Sequence, residues 1–196
     1  MRTNELVAFE DLATKNVTVK ELPYIFVTKF EDSAVIDFYK QFLEMEADPK
    51  VKIIPVVVSS YGGQIHALLS MLDVIASSTK PVATVGLGKA MSCGAVLLAA
   101  GTKGYRYASE NTDIMIHEAW SIEVGKASEL QNGVKSTKRL NDLLFTFLSV
   151  KAGKKDKNYI LKQVKKRGNL DWFISAQQYK SMGLIDHVGV PKFIKK

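Results

Sequence analysis

The sequence predicts an α/β fold in one domain spanning residues 1–196. Two patterns carry that prediction. A strand-like apolar run, a glycine-bearing break and a helix follow one another twice in succession, at residues 51–75 and 81–100, the alternation expected of strands with helices on their faces. The runs at 51–58 and 81–85 are also almost continuously apolar, as in strands covered on both sides.

Residues 1–20 mix Arg2, Glu5, Glu10, Asp11 and Lys15 among apolar positions; they are set apart as a mobile N-terminal segment without the apolar stretch of a secretory signal. Residues 24–28, β-branched and aromatic, predict a short buried strand. Val35, Ile36, Tyr39, Phe42 and Leu43 recur at helical spacing and predict a helix over 33–47, closed by Pro49. The strand at 51–58 contains Pro55, which cannot donate to a ladder and is awkward in a central strand. Ser59-Ser60-Tyr61-Gly62-Gly63 breaks that run, and Ile65, Leu68, Leu69, Leu72 and Ile75 mark the next helix. A strand at 81–85, a turn at Gly86-Leu87-Gly88 and a small-residue apolar helix over 91–100 make the second unit. Strands are expected at 105–108, 113–117 and 184–188, and helices at 127–150 and 155–166. Ser175 with Gln178 three residues on reads as a capping-box start. The helix at 127–150 is about twice the mean helix length. It is therefore expected to project beyond the core or to pack against another subunit.

Lys and Arg number 27 against 20 Asp and Glu, a net charge of +7. The first 98 residues hold 9 basic against 11 acidic groups and the rest 18 against 9, with the excess gathered in residues 151–167. Beyond Tyr159 that stretch lacks interleaved aromatics, so it reads as a solvated helix face and nucleic acid is not an expected partner. The single cysteine, Cys93, excludes an intrachain disulfide and a four-cysteine zinc site. No window holds 18 consecutive apolar residues, so a soluble, cytoplasmic protein with no membrane partner is expected.

Candidate chemistry begins at Gly88-Lys89-Ala90-Met91-Ser92-Cys93-Gly94-Ala95. A serine at a strand-to-helix turn among small residues has an exposed hydroxyl, and the first free N–H groups of the helix can stabilise an oxyanion. The same pattern also serves close helix packing. A serine needs a base; of His66, His117 and His187, only His117 ends an apolar strand. Asp171, beside the run Trp172-Phe173-Ile174, is a candidate to orient the imidazole or a plain turn residue. Cys93 could itself be a nucleophile, but one step along a helix turns a side chain about 100° away.

The blocks Ser60-Tyr61-Gly62-Gly63, Ala90-Met91-Ser92-Cys93-Gly94-Ala95, Ile114-Met115-Ile116-His117, Asp171-Trp172-Phe173-Ile174-Ser175-Ala176 and Tyr179 with Gly183-Leu184-Ile185-Asp186 together resemble, in order and spacing, the proteolytic subunit of Clp ATP-dependent serine proteases (ClpP-like). The resemblance implies a crotonase-like stack of β-β-α units, with the helix at 127–150 as a handle between stacked heptameric rings. It places nucleophile, base and acid on Ser92, His117 and Asp171, and the oxyanion hole on the N–H groups of Gly63 and Cys93. It implies hydrolysis of peptides or unfolded proteins without cofactor or metal, and an AAA+ unfoldase as partner.

The chain departs from that pattern in places. Tyr61 stands where the family has proline, and Glu118-Ala119-Trp120-Ser121-Ile122-Glu123-Val124-Gly125 replaces a glycine-rich segment. Gly62, Trp120 and Ile122 are expected to touch substrate, the last two narrowing the groove. The strand Pro55-Val56-Val57-Val58 lacks the family's docking tyrosines, which predicts weak unfoldase docking or a different surface, such as residues 151–167. The other functions weighed are a crotonase-type acyl-CoA enzyme, a Ser/Lys peptidase using Lys135 or Lys138, a phage capsid-maturation protease and a non-catalytic ring or assembly subunit. The combination of Ser92, His117 and Asp171 favours the serine endopeptidase.

Overall fold

The computed structural model describes residues 24–191, so the segment predicted at 1–20 lies outside the described residues. The described elements run β1 (Ile25–Val27), α1 (Asp32–Ala47), β2 (Ile54–Ser60), α2 (Ile65–Ala76), β3 (Val82–Met91), α3 (Cys93–Ala100), β4 (Arg106–Ala108), β5 (Asp113–Ile116), α4 (Ala127–Lys151), α5 (Tyr159–Lys166), β6 (Trp172–Ser175), α6 (Ala176–Ser181) and β7 (His187–Val188). Strands β1-β2-β3-β4-β7 lie side by side in parallel, β5 pairs with β3, and β6 runs antiparallel to β5. The sequence and the fold agree on an α/β protein with a mainly parallel sheet.

Pro55 does sit in a central strand, and the ladder explains how. Ile54 N–H donates to Pro81 O toward β3, so the nitrogen of Pro55, one residue on, faces the β1 side, where pairing begins only at Val56. No ladder bond is lost.

The turn expected at Gly86-Leu87-Gly88 is instead part of β3. That strand uses the four steps from Gly86 to Ala90 where β2 uses the two from Val58 to Ser60, a bulge accommodated by Gly88 at φ +70°. The first half of β3 pairs with β4 and the second with β5. As a result β5 lies beside the end of β3, where the following helix starts.

That helix was expected from residue 91 but begins at Cys93: Met91 pairs with Met115 of β5 and Ser92 N–H donates to Met115 O. Every residue of α3 is buried, in keeping with a helix apolar on all sides. Tyr179 of α6, fully buried, donates its hydroxyl to Ala95 O at 2.8 Å, and burial raises its phenol pKa. The helix expected at 155–166 starts only at Tyr159, because residues 156–159 form a turn in which the Asp156 carboxylate accepts from Asn158 N–H and Lys162 Nζ. The long helix is α4, 25 residues. The strand expected at 51–58 is displaced to 54–60, and the one expected at 184–188 shrinks to His187–Val188.

A buried ion pair anchors the end of α4. Arg106, 3% exposed, grips Asp186 twice (Nε to Oδ2 2.9 Å, Nη2 to Oδ1 2.7 Å) and donates through Nη1 to Lys151 O. Gly104 N–H also donates to the Asp186 carboxylate, and Lys151 Nζ donates to Ala100 O at the end of α3.

Candidate active site

Ser92 is the single residue between β3 and α3, at φ 53° and ψ −119°. A side chain rarely adopts that backbone, and such strain persists only when the surroundings impose it. Here its N–H donates to Met115 O, and its own carbonyl accepts from Ala95 and Val96 N–H.

The β3–β5 register brings His117 to this turn, where its Nε2 lies 2.8 Å from Ser92 Oγ. Antiparallel pairing of Ile116 with Trp172 sets the next residues, His117 and Asp171, opposite each other across β5 and β6. His117 Nδ1 stands 3.7 Å from Asp171 Oδ1, with the carboxylate side chain 58% exposed. That separation exceeds hydrogen-bond length; catalytic bonds are often long before substrate binds. Lys135 and Lys138 make no hydrogen bond to Ser92 among the described residues, and His187 stacks on Tyr107.

Gly62 and Gly63, between β2 and α2, face the same turn at φ +107° and +150°. A Cβ on Gly62 would sit 2.7 Å from Ser92 Cβ, and one on Gly63 would sit 2.5 Å from Phe30 O. Gly62→Ala is therefore expected to displace Ser92 and cut peptide hydrolysis by about 10²-fold, the scale of a misplaced reacting group. Steady-state kinetics on a soluble variant checks it, and unchanged turnover would refute the close packing.

Cys93 is 2% exposed, and its thiol donates to Gly63 O at 3.3 Å. Burial pushes its pKa up, against the Gly63 backbone and the Ser92 hydroxyl. A buried, protonated thiol is a poor nucleophile. Beside Ser92 and His117 lies a mainly apolar cavity of about 30 Å³, walled by Ile65, Val96, Ile116, Leu144, Phe145 and Leu148, with Asn141 as a further polar group in its wall.

Residues 118–125 run irregularly past the site. Asn141 Oδ1 of α4 accepts from Ala119 N–H at 2.7 Å, and Ser121 and Thr137 hydroxyls meet at 3.1 Å. Trp120, Ile122 and Val124, the alternate residues, are exposed at 74%, 80% and 94%. The predicted Trp120 and Ile122 thus point to solvent near the site. Asn141 was missed from sequence; its signal is an amide on α4 one residue after buried Leu140. Among the described residues no group of three His, Cys, Asp or Glu could hold a metal ion, and no helix is long and apolar enough to cross a membrane.

A serine on a strained strand-to-helix turn, an imidazole on its hydroxyl and a carboxylate beyond the ring form the constellation of the serine hydrolases as a class. The sequence matches the family model "Clp protease" over residues 14–192. It is also 32% identical over 170 residues to "ATP-dependent Clp protease proteolytic subunit 2" of Frankia casuarinae, an alignment covering 87% of this chain and 76% of that protein. The chain belongs to the Clp protease family, a family of proteases.

Proposed function

We propose that this chain is a serine endopeptidase that cleaves peptides and unfolded proteins. The observation that carries the reading is the 2.8 Å contact between His117 Nε2 and Ser92 Oγ at a backbone held in strain. His117 takes the hydroxyl proton, Ser92 attacks the peptide carbonyl, and the N–H groups of Gly63 and Cys93 receive the oxyanion. Cys93 opens α3, where an N–H has no intrahelical partner. Protonated His117 then gives its proton to the leaving amine, and water, activated by the same imidazole, releases the acid. Asp171 holds the imidazole tautomer. The chemistry needs no cofactor or metal.

The apolar cavity beside Ser92 favours an apolar side chain on the residue whose carbonyl is attacked, and Gly62, Trp120 and Ile122 line the approach of the substrate backbone. A panel of short peptides varied at that residue tests the reading. Apolar residues are expected to be cleaved best, and preference for charged ones would contradict it.

The domain spanning residues 1–196 acts as a ring-forming unit of the crotonase-like kind, in the cytoplasm, with α4 as the handle between two stacked heptameric rings. Support comes from the length of α4 and from its exposed Leu130, Val134 and Leu143. Sedimentation is expected to give a species many times the 21.7 kDa chain; a monomer at micromolar concentration would refute assembly.

Active sites inside a chamber would be closed to folded proteins, so an AAA+ unfoldase is the proposed partner for those. Its docking is expected to be weak, because β2 carries only aliphatic residues at positions 55–58, or to use the basic residues 151–167. Contacts of the second kind fade with salt, since exposed charges are screened over roughly 8 Å at physiological ionic strength. Degradation of a folded, tagged reporter with a Clp ATPase and ATP is the assay. Loss at high salt is expected, and robust salt-insensitive degradation would contradict this account of docking.

A further inference from the structure

The Gly62–Gly63 peptide, whose N–H is the proposed oxyanion donor, joins the two residues that resist rotation least. Between glycines a peptide plane can turn over with little steric penalty, and this one, turned over, would aim its N–H away from the substrate. On either side of the plane stands a buried side chain. Ser60, 0% exposed at the end of β2, accepts from Gly62 N–H at 3.1 Å while donating its own hydroxyl to Thr28 O at 2.8 Å. Cys93 Sγ donates to Gly63 O at 3.3 Å. The two anchored groups, Gly62 N–H and Gly63 C=O, flank the peptide that carries Gly62 C=O and Gly63 N–H, and Phe30 bridges to Gly63 alongside.

We infer that Ser60 and Cys93 are positioning residues that fix the orientation of the Gly62–Gly63 peptide from its two ends, an assignment that rests on the serine endopeptidase reading. Ser60 ties the glycine turn to the end of β1, and Cys93 ties it to the helix that begins at the nucleophile. Cys93 therefore has two functions: its amide receives the oxyanion, and its thiol holds the peptide that bears the other donor. The raised thiol pKa keeps the proton that this bond requires. Backbone contacts add a third constraint, since Gln64 N–H donates to Phe30 O at 2.8 Å.

The test compares Ser60→Ala, Cys93→Ala and Cys93→Ser with the unaltered chain, in the assembled state, on a small fluorogenic peptide. Losing an oxyanion donor outright costs about 10²–10³ in kcat, so each alanine variant, which only loosens one, is expected to lose roughly 10-fold in kcat with KM changed less than about twofold. The Ser60→Ala, Cys93→Ala double variant is expected to approach the full loss. A peptide boronate, which mimics the tetrahedral state, is expected to bind more weakly by the same factor as kcat falls. Cys93→Ser, which keeps a donor but not the sulfur volume, is expected to recover most of the activity that Cys93→Ala loses. Equal activity of these two, or an effect on melting temperature alone, would overturn the inference; should Ser60→Ala not fold, the cysteine pair still decides. If the unaltered chain neither turns over the peptide nor binds the boronate, the endopeptidase reading falls and takes this role with it. Normal turnover with indifferent variants overturns the positioning role alone.

Discussion

Ser92→Ala is expected to lower hydrolysis of small peptides by ~10⁴-fold or more while leaving fold and assembly unchanged. The magnitude follows from the covalent route. Without the hydroxyl no acyl-enzyme forms, and only the oxyanion donors and substrate binding remain to accelerate attack by water. The fold is spared because the turn is held by main-chain bonds, Ser92 N–H to Met115 O and Ala95 and Val96 N–H to Ser92 O, which alanine keeps. His117→Ala is expected to lose a comparable amount. Asp171→Asn is expected to lose no more, since Asp171 acts through the imidazole. Circular dichroism and sedimentation of the variants separate chemistry from folding; turnover by Ser92→Ala near that of the unaltered chain would dismiss the assignment.

The largest effect on stability is expected at the other end of the sheet. Asp186→Ala leaves the guanidinium of Arg106, 3% exposed, without its counter-charge, and removing one partner of such a pair costs about 3–5 kcal/mol. The pair also gives stability a pH dependence. Burial raises the Asp186 pKa, but the Arg106 guanidinium and the amides of Gly104 and Arg106 outweigh it, so the carboxyl is held below its usual range. A depressed folded pKa contributes stability that is present above the unfolded value of about 3.9 and is lost as pH falls through the folded one. Acid denaturation at fixed protein concentration is thus expected to be steeper in the unaltered chain than in Asp186→Ala. Matching curves, or a loss under about 1 kcal/mol at neutral pH, would show that the pair is not the anchor of α4.

Those two sites differ in how far they could be read in advance. His117 was legible because it ends a run of apolar residues, and a strand end is where a side chain leaves the sheet; Ser92 was legible because it stands among small residues where a strand gives way to a helix. Their meeting depends on β3 pairing with β5 beyond a bulge at Gly88, and the glycines there were instead expected to form a turn. A bulge and a turn use the same residue at positive φ; only the partner strand distinguishes them. Asp171 was legible as an acid beside an apolar run, but the strand Trp172–Ser175 that aligns it with His117 was not predicted. Four residues are too few for periodicity to register, and the capping box at Ser175 drew the reading to the helix that follows. The Arg106–Asp186 pair spans 80 positions, and only the folded sheet brings it together. The Ser60 and Cys93 bonds to the glycine turn depend likewise on loops that no local pattern fixes.

The central claim is that Ser92 is the nucleophile, and a fluorophosphonate probe tests it most directly, because phosphonylation requires a hydroxyl activated by its neighbours. Peptide mapping of the labelled protein is predicted to place a single adduct on Ser92, absent from Ser92→Ala and strongly reduced in His117→Ala. Labelling of another residue, or peptide hydrolysis that persists when Ser92 is replaced, would contradict the account.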